Sequence, residues 1–182
     1  MAGINRAYNV NKSESRSNLL QGKECVFISH HKSDLDDCKK IADYLMKANI
    51  DVYLDEYDYD LKEQVQKQNP KGVVNCISKG ISNSTHMLCV LSSQTIYSKW
   101  VPWELGYGYD KTDLGAITLK GIAEASLPDY LKTVRLIRGT QSLNQYISDV
   151  LGYSKEYLKM YSRIDEHLKP YHYLDNVLDW QL

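Results

Sequence analysis

The chain has 182 residues, with 43% hydrophobic and 25% charged positions and a formal net charge of -1. That length supports one well-buried domain with an appendage, and the balanced charge gives no global field for nucleic acid or an anionic membrane. No apolar run approaches the roughly 20 residues of a membrane helix, and the polar stretch Met1–Gln21 lacks the apolar centre of a signal peptide, so the expectation is a cytoplasmic protein.

Residues 1–22 are rich in Asn, Ser and charge without periodicity, which predicts a flexible leader. Cys25-Val-Phe-Ile-Ser29 is short and apolar and reads as a buried strand. The polar loop His30–Asp34 follows, with Ser33 or Asp34 available to cap a helix over 34–48. Leu35, Cys38, Ile41, Ala42, Leu45 and Met46 recur there at helical spacing. Asp51–Asp55 is a second strand, followed by an acidic, Tyr-laced segment and a polar stretch up to Pro70-Lys-Gly72. Val73, Val74, Ile77 and Ile81 mark the next helix.

His86–Ser92 is the most apolar strand and suits the centre of a parallel sheet. A helix beginning at Ser92 or Ser93 is predicted to carry Trp100, Pro102 and Glu104 towards Tyr109, with a break, a kink or a first-turn proline at Pro102. Gly115–Lys120 and Thr133–Ile137 are two further strands, separated by a short helix or loop over 124–131. After Gln141 the spacing is helical. Tyr153, Tyr157 and Tyr161 follow at four-residue intervals, either closing the sheet as core or forming an interface stripe. The tail from Tyr171 holds Leu174, Val177, Leu178, Trp180 and Leu182, which predicts that it docks.

This alternation implies an α/β fold: a doubly wound parallel sheet of about five strands with helices on both faces. Ligands of such sheets bind beyond the carboxyl ends of the strands. His30–Asp34, Asp55–Pro70, Ser92–Glu104 and the loop after Lys120 lie there. Glu104 therefore has two readings. It is a surface carboxylate at the end of a helix that packs tryptophans into the core, or a carboxylate desolvated beside an indole for chemistry. The widely spaced Cys25, Cys38, Cys76 and Cys89 and the five histidines form no metal-ligand pattern, and the cysteines read as reduced, buried hydrophobes.

In this order, four segments resemble the TIR domain family. They are Val26-Phe-Ile-Ser-His30, Asp51-Val-Tyr-Leu-Asp55, Ile81–Ser92, and Ser98-Lys-Trp100 with Glu104, the last similar to an S-x-W-x-x-x-E signature. The resemblance covers residues 24–139 and implies a flavodoxin-like domain over 23–140 with a C-terminal helical extension over 141–182 packed on it. It further implies cleavage of NAD at the nicotinamide–ribose bond, with Glu104 as the essential residue stabilising an oxocarbenium-like ribose. Nicotinamide leaves as a neutral group, so no acid is required. NAD is then the substrate, and no cofactor or metal is implied.

By the same resemblance Ser29, His30, His31 and Lys32 line the nucleotide site, Lys32 or a histidine lying near the pyrophosphate. Asp55 bonds a ribose hydroxyl or caps the following loop, and Trp100 stacks on a ligand ring or packs in the core. The chain departs from the family in its long loop after Asp55, which lacks a Gly-centred turn unless Pro70-Lys-Gly72 serves, and in the apolar Pro102-Trp103 pair. A standalone bacterial-type member implies ADP-ribose or a cyclic or conjugated product. It also implies self-association, and an effector protein reached through a diffusible nucleotide, as in Thoeris anti-phage systems. The alternative is a non-catalytic self-association or adaptor module. A receiver domain would need an acidic pair after the first strand and an aspartate ending the third, where this chain has Ser29-His30 and Ser92.

Overall fold

The structure is a computed structural model, and it describes residues 2–9, 22–123, 127–165 and 172–179. Five parallel strands form the sheet: β1 Cys25–Ser29, β2 Asp51–Tyr53, β3 His86–Leu91, β4 Asp113–Thr118 and β5 Arg135–Ile137. Their order is β2-β1-β3-β4-β5, the flavodoxin-like winding expected from the sequence. The order reverses between β1 and β3, where Ser29 pairs with Cys89 near the carboxyl edge. That reversal opens a crevice between diverging connections, the usual ligand position in such a sheet.

Successive strand residues point to opposite faces, and both faces are covered. Val26, Ile28, Leu88, Val90 and Ile117 face helices α1 (Leu35–Lys47) and α5 (Thr140–Leu151), through Ile41, Leu45, Leu143 and Ile147. Phe27, Met87, Cys89 and Ala116 face α3 (Pro70–Ser82) and α4 (Val101–Gly108), through Ile77, Ile81, Val101 and Leu105. Each fully buried aliphatic side chain of this kind contributes about 1.5–3 kcal/mol. The cysteines are free, three of them buried, and burial pushes the Cys25 thiol up to about 11.

Four segments differ from the sequence reading. The polar stretch after Asp55 holds a 3-10 turn, Asp55–Tyr57, and a helix, α2 (Tyr59–Gln66). Asp58 caps α2, accepting from the Leu61 N–H at 3.1 Å, while Tyr53 donates its hydroxyl to the same carboxylate. Only Leu61 of α2 is buried, so the helix leaves no apolar periodicity to read. Next, Pro70-Lys-Gly72 is no turn but the opening of α3, with Pro70 at a position that needs no N–H and Asn69 accepting from the Gly72 N–H at 3.1 Å.

The helix expected from Ser92 is two pieces, a 3-10 turn at Thr95–Tyr97 and then α4. Pro102 sits in the first turn of α4, one of its expected options. Finally, residues 2–9 are not a flexible leader, because Arg6 and Ala7 are buried against the edge of the sheet. Residues 10–21 lie outside the described residues, as do 124–126 of the expected short segment.

The chain beyond α5 packs back on the sheet. Leu158 of α6 (Lys155–Met160), Leu174, Val177 and Leu178 are buried in the same layer as α1. Lys120 donates its N–H to the Val177 carbonyl at 2.8 Å, and Thr140 to that of Asp179 at 3.1 Å. The tyrosines at 153, 157 and 161 are exposed and stack on one another at 4.8 and 4.7 Å, so they do not close the core. Tyr171, Trp180 and Leu182 lie outside the described residues.

Candidate active site

The site grows from the ends of β1, β2 and β3. Ser29, the last residue of β1, is buried, and its hydroxyl donates to Glu104 Oε2 at 2.5 Å. Glu104 stands in the first turn of α4, 5% exposed, one turn after Trp100 through its own N–H to the Trp100 carbonyl at 2.9 Å. A break before α4 makes this possible. Ser98 Oγ accepts from the N–H groups of Trp100 and Val101 at 3.3 and 3.2 Å, and the helix then drives Glu104 inward. Burial pushes the Glu104 carboxyl up to about 7, the Ser29 hydroxyl opposing and the Asp55 charge reinforcing the rise.

Asp55 opens the turn after β2 and faces His30, with 3.9 Å between its Oδ1 and His30 Nε2. His30 Nδ1 donates to the Ile28 carbonyl at 3.2 Å, which turns Nε2 towards Asp55. Burial raises the Asp55 pKa against the lowering effect of His30. Two carboxylates near one another, one with a hydroxyl and one with an imidazole, thus sit where the sheet winding reverses.

Above them is a cleft of about 790 Å³, lined by His30, His31, Lys32, Asp55, Trp100 and Glu104. Six of the seven residues expected to form the site are therefore on its surface, and Ser29 lies directly beneath, bonded to the sixth. Trp100 is 39% exposed and meets Trp103 edge-on at 6.0 Å, so its role is not core packing. His31 is tied locally, Nδ1 accepting from the Ser33 N–H at 3.2 Å. Lys32, Lys62 and Lys99 line the cleft as well, Lys62 paired with Glu56 at 3.0 Å.

Sequence reading missed two kinds of residue. One is the apolar wall of Leu61, Val65, Val73 and Ile77, supplied by α2, where a loop was expected, and by the expected helix α3. The other is the lock between Asp34 and Ser92. The Ser92 hydroxyl donates to Asp34 Oδ2 at 2.6 Å and ties the loop after β1 to the loop after β3. Asp34, one of the two caps expected for α1, sits at its N-cap position but makes no side-chain capping bond. The available signal was two short polar residues in the loops that follow adjacent strands, Ser92 directly after β3 and Asp34 five residues after β1. Among the described residues no cluster of His, Cys, Asp and Glu has the arrangement of a metal centre, and no helix is long and apolar enough to cross a membrane.

No curated protein shows significant sequence similarity to the chain. The family model of the TIR domain matches residues 26–148, from β1 into α5 and across every element that contributes to the cleft. The flavodoxin-like winding agrees with that match, and the chain belongs to the TIR domain family.

Proposed function

We propose that this cleft cleaves NAD at the bond between nicotinamide and ribose. TIR domains include NAD-cleaving enzymes as well as adaptors. The observation that carries the enzymatic reading is Glu104, a nearly fully buried carboxylate lining an open cleft with a hydroxyl as its hydrogen-bond partner. A carboxylate held this way is poorly compensated until a positive charge enters. An adaptor surface has no use for such a group.

In the proposed reaction the C–N bond breaks and its electron pair stays on the nicotinamide nitrogen, which leaves neutral. The ribose carbon becomes oxocarbenium-like, and ionised Glu104 stabilises it across a dry gap where Coulomb attraction is strong. Water or another acceptor then adds to that carbon and releases a proton. Asp55 and His30 hold the ribose hydroxyls, Lys32 the pyrophosphate, and Trp100 a ring. The activity is thus that of an NAD nucleosidase or ADP-ribosyl cyclase. By resemblance to standalone bacterial members, the product acts as a signal to an effector protein in anti-phage defence.

The test is nicotinamide release from NAD by the full chain, with the nucleotide product identified by mass. Wild type is expected to release nicotinamide and Glu104→Gln to lose it. Equal turnover by both would overturn the assignment.

A further inference from the structure

The edge of the sheet beside the cleft is closed by the N-terminal segment. Gly3 enters where no side chain fits: its N–H donates to the Met46 carbonyl at 2.7 Å, and a Cβ there would stand 2.0 Å from the Ile50 oxygen. Ile4 accepts from the Val52 N–H at 3.0 Å and donates to Asp51 Oδ1 at 3.0 Å. Asn5 pairs in parallel with Val52, and its side-chain oxygen accepts from the N–H groups of Leu54 at 3.3 Å and Ala7 at 3.1 Å. Arg6 is buried against Asp51 and reaches the carbonyls of Asn83 and Lys23 at 3.2 and 2.9 Å. The segment then ends with Tyr8 on Tyr57, ring centroids 4.6 Å apart.

Tyr57 closes the 3-10 turn that Asp55 opens. β2 itself is a three-residue edge strand, too short to hold that turn rigidly. We propose that residues 2–9 are a positioning strap for the site: Asn5 and Tyr8 grip the turn at Leu54 and Tyr57 and so fix Asp55 opposite His30 and near Glu104. Tyr8 is 53% exposed, so its packing on Tyr57 is the weakest link of the strap and its point of release. The inference rests on the NAD reading only in its kinetic arm.

The experiment compares the full-length chain with Tyr8→Ala, Tyr8→Phe and Gly3→Ala, the last lifting the strap from its opposite end. Amide hydrogen exchange is followed over residues 54–61, with 87–91 in β3 as internal reference. Tyr8→Ala is expected to speed exchange over 54–61 by about three- to tenfold, the worth of one aromatic pair, and to leave 87–91 unchanged. Gly3→Ala should do the same more strongly, while Tyr8→Phe keeps the wild-type pattern.

In nicotinamide release, Tyr8→Ala should raise KM for NAD several-fold, with kcat held, because Glu104 sits on a different element. Unchanged exchange over 54–61 would overturn the strap. So would exchange rising equally in β3, or a local rise with unaltered KM. If wild type releases no nicotinamide, the NAD reading fails, while the exchange comparison still decides whether the segment holds the turn.

Discussion

Two buried carboxylates at opposite edges of the sheet define the molecule. Asp51, at the amino end of β2, is wholly buried and lies 2.9 Å from Arg6 Nε and 2.5 Å from Lys23 Nζ. Glu104, at the carboxyl edge, is nearly as buried but has the Ser29 hydroxyl as its partner and a second carboxylate, Asp55, in its field. Asp51 is compensated in the folded chain and serves as a rivet between the N-terminal segment and the sheet. The charge of Glu104 goes uncompensated, facing an open cleft. Burial alone therefore does not separate structure from function; the presence or absence of an internal counter-charge does.

The comparison breaks first at Glu104. Glu104→Gln should lower nicotinamide release on the order of a thousandfold, because only an ionised group stabilises a developing cation. A second variant, Asp51→Ala, should leave Arg6 buried without its partner and reduce stability by about 3–5 kcal/mol, measured by denaturant unfolding. Stability should move the opposite way for Glu104→Gln. Its carboxyl titrates near 4.5 when unfolded and about 7 when folded, so both states are neutral at low pH and the folded charge is disfavoured once pH exceeds both values. The variant should then exceed wild type by up to about 3 kcal/mol at pH 8, with a melting temperature higher by roughly 6–12 °C. This gain should vanish as pH falls below about 4.5, where the wild-type residue is also neutral.

The smallest expected effect is the most diagnostic. Nicotinamide release should fall as pH drops through about 7, as Glu104 takes up its proton. Ser29→Ala removes the hydroxyl that favours the charged form, so the same limb should shift upward by about one pH unit. A profile that stays in place would mean that Ser29 does not act through Glu104.

How much of this was legible varies by element. β1 and β3 were readable because strands buried on both faces need unbroken apolar runs such as Val26-Phe-Ile and Met87-Leu-Cys-Val-Leu. α2 was not, because a helix that buries one leucine writes no stripe into its sequence. Glu104 was legible as a candidate from strand order and its signature-like spacing to Ser98 and Trp100. Its hydrogen bond to Ser29 spans 75 positions, and nothing local announces it. Residues 2–9 show the same limit from the other side, since their polar composition suggested solvent although Asp51 and Val52 receive them.

The sequence by itself determined a parallel sheet with two buried layers and the edge on which a site would form, and the resemblance to the TIR family added the winding. The first follow from period and order, which are local properties of the chain. Only the tertiary structure decided which buried carboxylate is compensated. A counter-charge is a matter of distance in space, and Arg6 meets Asp51 while Glu104 meets a hydroxyl.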